Sequence, residues 1–502
     1  MRHDVALVRY INALTQRKGM DAAQLQRASW ADVAPAEADL VRDPLLKELV
    51  DMEVPAVATP AAPAGGGGGC SASGDSSGGG SRGGAMEKRV LRPGAARFQL
   101  LQLLNKRVRD ALPYIDLTQA DKPGSAAARL LRCRGLLFRS TKDPVWEAAL
   151  AATTHPNSDP FELRLNRQRA LRRIAAGETD AEGHWTVFAQ AFRAMGSMHP
   201  RFQRATGKLY NCVFLGERSQ DAGGPYRESF AAYCGELQSG ALPLLVRTPN
   251  SQHAAGLGRD NWLLSPGAKT ATQLDMLRFL GRLMGHATRA KEYLNLSLSP
   301  LVWKALVGQE TTREDLEAVD VQMLRSMESM RAIDEQGVTE DIFAETILET
   351  FVTTSLDGTQ VIVELRPGGM SQAVTWANRH EFADLVERHR LTESARQAAA
   401  VRDGLATVLP LRALALYTWD ELELMVCGRP EVDVKLLEAV TEYSGCRVDD
   451  PHVRFFWAAL QRFTAEERQR FVQFTWGRTR LPLTAGEFSQ RFKIQVRSGA
   501  DM

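Results

Sequence analysis

The sequence predicts an α+β chain that is mostly helical: a helical N-terminal part, a flexible connector, and a larger part in which helices alternate with short strands. Three observations carry this. Apolar residues recur at helical spacing in many segments, as at Val5, Leu7, Val8, Ile11 and Leu14, or at Leu277, Leu280, Leu283 and Met284. Short runs of strand composition, YNCVFL (210–215) and FKIQV (492–496), stand among the helical segments. Residues 54–85 collapse to Ala, Pro, Gly and Ser, a composition that cannot bury enough apolar surface to offset the entropy of ordering.

From the start, residues 1–54 read as a small helical segment and 55–85 as a disordered linker. The glycine run 65–69 is not a phosphate-binding loop, because no Gly-Lys-Ser/Thr follows it. Residues 86–185 read as helical. Phe98, Leu101, Leu104, Val108 and Leu112 mark one amphipathic helix that Pro113 stops, and helical segments continue through Arg173. From about Trp185 the pattern turns mixed. A strand at 210–215 runs into the turn of Asp221, Gly223, Gly224 and Pro225, and a helix opens with Tyr226, Arg227 and Glu228. An apolar run follows at 242–246, then a strong helix at 274–290. Ser299-Pro300 is an N-cap with proline at the first helical position. Residues 327–365 alternate helix-like and strand-like pieces, with a turn at Asp357-Gly358, and a long helix or broken pair spans about 380–408. Thr418 with Glu421 and Thr464 with Glu467 are capping boxes, and Gly428 and Gly477 are the matching stops. A last strand at 492–496 precedes the tail 497–502.

The chain has 502 residues, 44% hydrophobic and 24% charged, the balance of an ordinary globular protein of several domains. Its 62 basic residues face 60 acidic ones, so no net field points to nucleic acid or an anionic membrane. No apolar run approaches the roughly 18 residues of a membrane span, and the N-terminus lacks the apolar core of a signal peptide. These features place the chain in the cytoplasm or nucleus. The six cysteines form no C-x-x-C pair and the nine histidines no H-E-x-x-H, so neither a metal nor another cofactor is expected. Each cysteine reads first as a small buried hydrophobe, except Cys70, which lies exposed in the glycine tract.

Seven strings, in order, resemble the HECT domain of ubiquitin ligases in the style of the giant HERC-type enzymes: FLGERSQDAGGPYRESF (214–230), LPLLVRTPN (242–250), RFLGRLMGHATR (278–289), LVWKALVG (301–308), ELRPGGMSQAVTWANRHEFADLV (364–386), ELELMVCGRPEVD (421–433) and FVQFTWGRTRLP (471–482). The resemblance covers about 310 residues, and 98–138 is similar to the helical region that precedes the domain in those ligases.

The resemblance implies a bilobal fold, with a large N-lobe at 186–446, a hinge at 444–450 and a C-lobe at 447–502. It implies a ubiquitin-protein transferase whose partners are a ubiquitin-charged E2 enzyme, ubiquitin and an unidentified protein substrate. Ubiquitin passes to a cysteine as a thioester and then to a lysine, which suits a thiolate nucleophile and splits acyl transfer into two easier steps. In the family that cysteine lies in a Thr-Cys-Phe-like string beyond the strand equivalent to 492–496. No such string occurs here and the sequence ends six residues after Val496, so the nucleophile is expected beyond Met502 and the C-lobe about half present. The alternative is a catalytically inactive scaffold that binds E2 or substrate.

By position in the family's pattern, the E2-binding subdomain falls at about 318–375, with Met327, Met330, Ile333 and Phe351 as the apolar candidates for a buried hot spot. The competing reading makes those four the subdomain's own core. Cys427, ending its helix, and Cys446, beside Arg447, read as structural. Gly223 and Gly224 read as a tight turn stabilised by Asp221, Arg227 and Glu228 as an ion pair or cap, His286 as a satisfied core histidine, Trp303 as a core anchor, and Asp449 with Asp450 as a hinge-loop charge pair.

Overall fold

The computed structural model describes residues 1–51, 93–155, 160–217, 224–356, 361–429, 431–476, 480–482, 485–488 and 491–496. The linker with Cys70, the turn residues Asp221 and Gly223, the Asp357-Gly358 turn, Gly477 and the tail 497–502 lie outside the described residues. Two compact units are present, one of residues 1–115 with 135–141 and one of 116–134 with 142–502.

In the first unit the helix Arg2–Lys18 buries Leu7, Val8, Ile11 and Leu14, the stripe its periodicity announces, and stops at Gly19 in the left-handed conformation. Four short helices follow, from Ala22–Arg27 to Pro44–Asp51. Their apolar residues Leu25, Val33, Leu46 and Leu49 share one core with Phe98 and Leu101 of the helix Pro93–Ala111. Segments that read as separate in sequence are therefore one body. Two buried amides tie it together: Gln102 donates to the carbonyls of Leu25 and Ala28, and Asn105 donates to Leu101 and Leu136 while accepting from Phe138 N–H and Thr141 O–H.

The second unit contains a difference from expectation. Phe161–Leu165, placed among helices by sequence, is a strand paired in parallel with Tyr210–Phe214. Its FELRL alternates, turning Leu163 and Leu165 inward and Glu162 and Arg164 out, so period two wins over five residues. Leu245–Arg247 pairs antiparallel with Trp262–Leu264. The expected long helix is a broken pair, Arg379–Thr392 and Ala395–Val408.

The centre of this unit is the contact of Ala271–Ala290 with Ala395–Val408. Three glycines permit it: a Cβ on Gly281 would stand 1.9 Å from Val401 O, one on Gly404 1.8 Å from Arg278 O, and one on Gly285 2.7 Å from Val408 Cβ. Beside it, Tyr210 O–H bonds Ser229 and Tyr233 at 2.7 and 2.9 Å. His286 Nδ1 faces the Gln203 carbonyl, so it carries the proton and Nε2 accepts from Tyr226 O–H at 2.9 Å. The expected capping boxes are present at Thr418–Glu421 and Thr464–Glu467, and Ser299 caps Pro300–Val307. Among the described residues no helix is long and apolar enough to cross a membrane.

At the C-terminal end, helices Pro451–Arg462 and Ala465–Trp476 close a core of Val453, Trp457, Leu460 and Val472. Val432, Val434 and Leu437 belong to the same core, ahead of the hinge expected at 444–450. Glu442–Ser444 pairs in parallel with Lys493–Gln495, the expected last strand.

Candidate functional site

The stretch from helix Val321–Arg331 to helix Arg379–Thr392 has a core of its own, made of Met327, Phe343, Phe351, Val374, Phe382, Ala383 and Val386. Between those helices lie a short helix Glu340–Thr346 and the antiparallel strands Val352–Thr354 and Ile362–Glu364. Edge-to-face aromatic pairs fix the interior: Phe351 on Phe382 at 5.6 Å, and Phe343 on Trp376 at 5.8 Å. The Phe351 amide donates to the carbonyls of Gly369 and Gln372, and Gly369 is obligatory, since a Cβ there would come within 2.4 Å of Phe351 O. Arg366 covers the Phe351 ring at 3.4 Å.

Charge pins the helices along one side. Glu387, almost fully buried, accepts from Arg331 Nη1 at 2.6 Å and from Arg313 Nε at 3.1 Å, and Arg331 also reaches Asp384. Glu328, bonded to Arg313, and then Glu387 hold that guanidinium above its ordinary value. A buried carboxylate shared by two arginines resists shear between the helices carrying it.

The structure brings all four apolar candidates to this one body. Phe351 is fully enclosed and Met327 nearly so, while Met330 and Ile333 pack partly exposed against the core. Sequence reasoning missed another set on the same body. Leu348 is 85% exposed, and Ile342, Val361, Ile362 and Met370 also present large apolar side chains to solvent. The sequence carries no clear signal for them: Ile347 packs against the core while the adjacent Leu348 stays out.

No cysteine occurs in the stretch 321–392 that forms this body. Cys234 and Cys427 are buried, and burial pushes both up to about 12. Cys212 is buried, Cys133 is half-buried, and Cys446 is half-buried with Sγ 3.7 Å from Ile494 O. A thiol held near 12 has almost no thiolate at neutral pH, the reverse of an activated nucleophile. The other singled-out residues have structural partners. Arg227 pairs with Glu292 and Glu228 with Arg167, Trp303 is fully buried, Asp450 accepts from Arg447 N–H, and Gly224 opens the helix Gly224–Leu237. His286 is enclosed, and burial depresses it to about 4, so it stays neutral. Among the described residues no three His, Cys, Asp or Glu side chains converge as a metal site requires.

Comparison with known proteins places these features in a family. The model of the HECT-domain (ubiquitin-transferase) family matches residues 244–502. The chain is 35% identical over 405 residues to the human (Homo sapiens) E3 ubiquitin-protein ligase HERC2, covering 80% of this chain and 8% of that protein. It is 33% identical over 417 residues to the probable E3 ubiquitin-protein ligase HECTD4 of Homo sapiens, covering 77% and 10%. It is 27% identical over 299 residues to the E3 ubiquitin-protein ligase HUWE1 of Mus musculus, covering 59% and 6%. The matched regions thus span a tenth or less of these relatives' own lengths. A match over more than half of the chain, in the region that carries the apolar body and the central helix pair, makes this protein a member of the HECT-domain family.

Proposed function

We propose that the chain is the ubiquitin-transfer region of a HECT-type E3 ubiquitin ligase, and that residues 318–375 dock the ubiquitin-charged E2. The observation that carries this is the set of exposed apolar residues Ile342, Leu348, Val361, Ile362 and Met370 on a body that has a buried core of its own. Large apolar side chains left exposed together on one folded body suit protein docking. Met330 and Ile333, partly exposed at the edge of that core, contribute to the docking face, and Met327 and Phe351 support it from beneath. The proposed organisation is an N-lobe at 186–446 and a C-lobe from 447, preceded by a helical region and the 55–85 linker, with motion between the lobes carrying a thiol from E2 to substrate lysine.

The same reading assigns the ubiquitin-carrying role to none of the described thiols. Cys234 and Cys427 are buried and protonated, and Cys446 turns its sulfur toward a backbone carbonyl. On this reading the described thiols do not accept ubiquitin while the chain binds E2, and the burial of Cys234 and Cys427 is what supports the scaffold reading as the alternative. Incubation with E2 charged with labelled ubiquitin, resolved on a non-reducing gel, tests this. The expected result is E2 capture with no reductant-sensitive ubiquitin adduct. An adduct abolished by mutating one of the six cysteines would overturn it.

A further inference from the structure

The last turn of helix Val187–Met195 and residues 275–282 of helix Ala271–Ala290 line a half-open cleft of about 380 Å³. Three guanidinium groups line it, those of Arg193, Arg278 and Arg282, against one carboxylate, Asp275, and the rings of Phe192 and Phe279 form its apolar wall. Two of the three cations are fixed by neutral acceptors. Arg282 Nη1 donates to Gly196 O at 2.9 Å, and Arg193 Nε donates to Gly183 O at 2.6 Å while its Nη2 meets His184 Nδ1. Gly196 is needed for this arrangement, because a Cβ there would press on the Phe192 ring at 2.9 Å. Carbonyls and an imidazole fix position without neutralising charge. Arg282 Nε is shut from solvent with no acceptor, and Arg278 sits one turn away as a like charge. Among the described residues only Arg278 has a carboxylate partner, the exposed Asp275. The cleft therefore holds a net charge of two, pre-positioned and unanswered.

We propose that this cleft is a binding site for a multiply charged oxyanion of the phosphate class. Several guanidinium groups lining one small space suit the oxygens of a phosphoryl group, and neighbouring cations of like sign gain most from an anion carrying at least two charges. The site uses none of the residues assigned to E2 docking, and its failure leaves that assignment untouched.

The test is calorimetric titration of the full chain with sodium pyrophosphate, and separately with inorganic phosphate, at constant ionic strength set by chloride. Saturable one-to-one binding of pyrophosphate, tighter than phosphate, is expected. Arg278→Gln, on the exposed side of the cleft, should weaken it by about tenfold, the loss of one charge-assisted contact. Arg193→Gln provides the second variant, and far-UV circular dichroism of each shows that it is folded. No saturable heat with pyrophosphate, or binding unchanged in folded Arg278→Gln and Arg193→Gln, would overturn the proposal.

Discussion

Replacing Gly404 by alanine should force the two central helices apart. A Cβ at this position would lie 1.8 Å from Arg278 O, 2.7 Å from Arg278 C and 3.0 Å from Arg278 Cα. All three atoms are backbone, so no rotamer change relieves the clash. Raising 1.8 Å to 3.0 Å, the distance below which real Cβ contacts essentially never fall, separates the backbones by roughly 1.2 Å. That displacement also loosens the neighbouring contacts at Gly281 with Val401 and Gly285 with Val408. Overpacking, backbone shifts included, typically costs about 1–3 kcal/mol. Alanine's helix propensity returns at most about 1 kcal/mol. With the cost at the upper end, because the clashing atoms are backbone, the net expectation is a loss of about 2 kcal/mol, read as a lower urea midpoint followed at 222 nm. Gly235→Ala is the control. It lies in the helix Gly224–Leu237 and a Cβ there meets nothing within 4 Å, so about 0.5–1 kcal/mol of stabilisation is expected. If Gly404→Ala matched or exceeded wild-type stability, the close helix contact would not be the centre of this unit.

Other perturbations probe other parts. Lys142→Met leaves Glu421, 9% exposed and bonded to Lys142 at 2.6 Å, without that counter-charge, and should cost about 3–5 kcal/mol, with part recovered in Lys142→Met/Glu421→Gln. His286, neutral and depressed to about 4 by burial, contributes stability that is complete above its unfolded value and lost as pH falls from about 6.5 toward 4. The stability difference between wild type and His286→Gln should therefore shrink by about 3 kcal/mol between pH 7.5 and pH 4, and a difference that does not vary with pH would refute the assignment. Iodoacetamide at pH 7.5 should modify Cys234 and Cys427 only after unfolding, as read by peptide mass spectrometry, since burial holds both near 12. Arg480→Ala removes a buried guanidinium that donates to Asn295 and to Gly428 O, and should speed hydrogen exchange around Arg429 and Leu481, which form a backbone bridge.

Local punctuation was the most legible part of the sequence. The capping boxes at Thr418 and Thr464, the Ser299-Pro300 start and the Gly428 stop each follow from one residue satisfying a free backbone group, so neighbours alone decide them. The strand at Phe161–Leu165 was hidden because five residues among helices give period two little weight, and its partner Tyr210–Phe214 lies 49 residues away in register. Likewise nothing local says that Val432, Val434 and Leu437 join the core of Trp457, since that depends on which body the chain returns to. At the candidate site, Met327, Met330, Ile333 and Phe351 were found as apolar residues of one body, but composition does not tell inward from outward. Phe351 went inside while Leu348, three residues before it, stayed out. Buried charges such as Glu236, which accepts from Val187 N–H and Phe188 N–H and which burial pushes up to about 7, carry no sequence signal at all.

The most direct test of E2 docking is calorimetric titration of a ubiquitin-charged E2 into this chain and into its Leu348→Asp variant. Roughly micromolar binding by the wild-type chain is expected, weakened at least about tenfold by a charge placed on the exposed apolar surface. No binding by the wild-type chain, or equal binding by the two, would contradict the assignment.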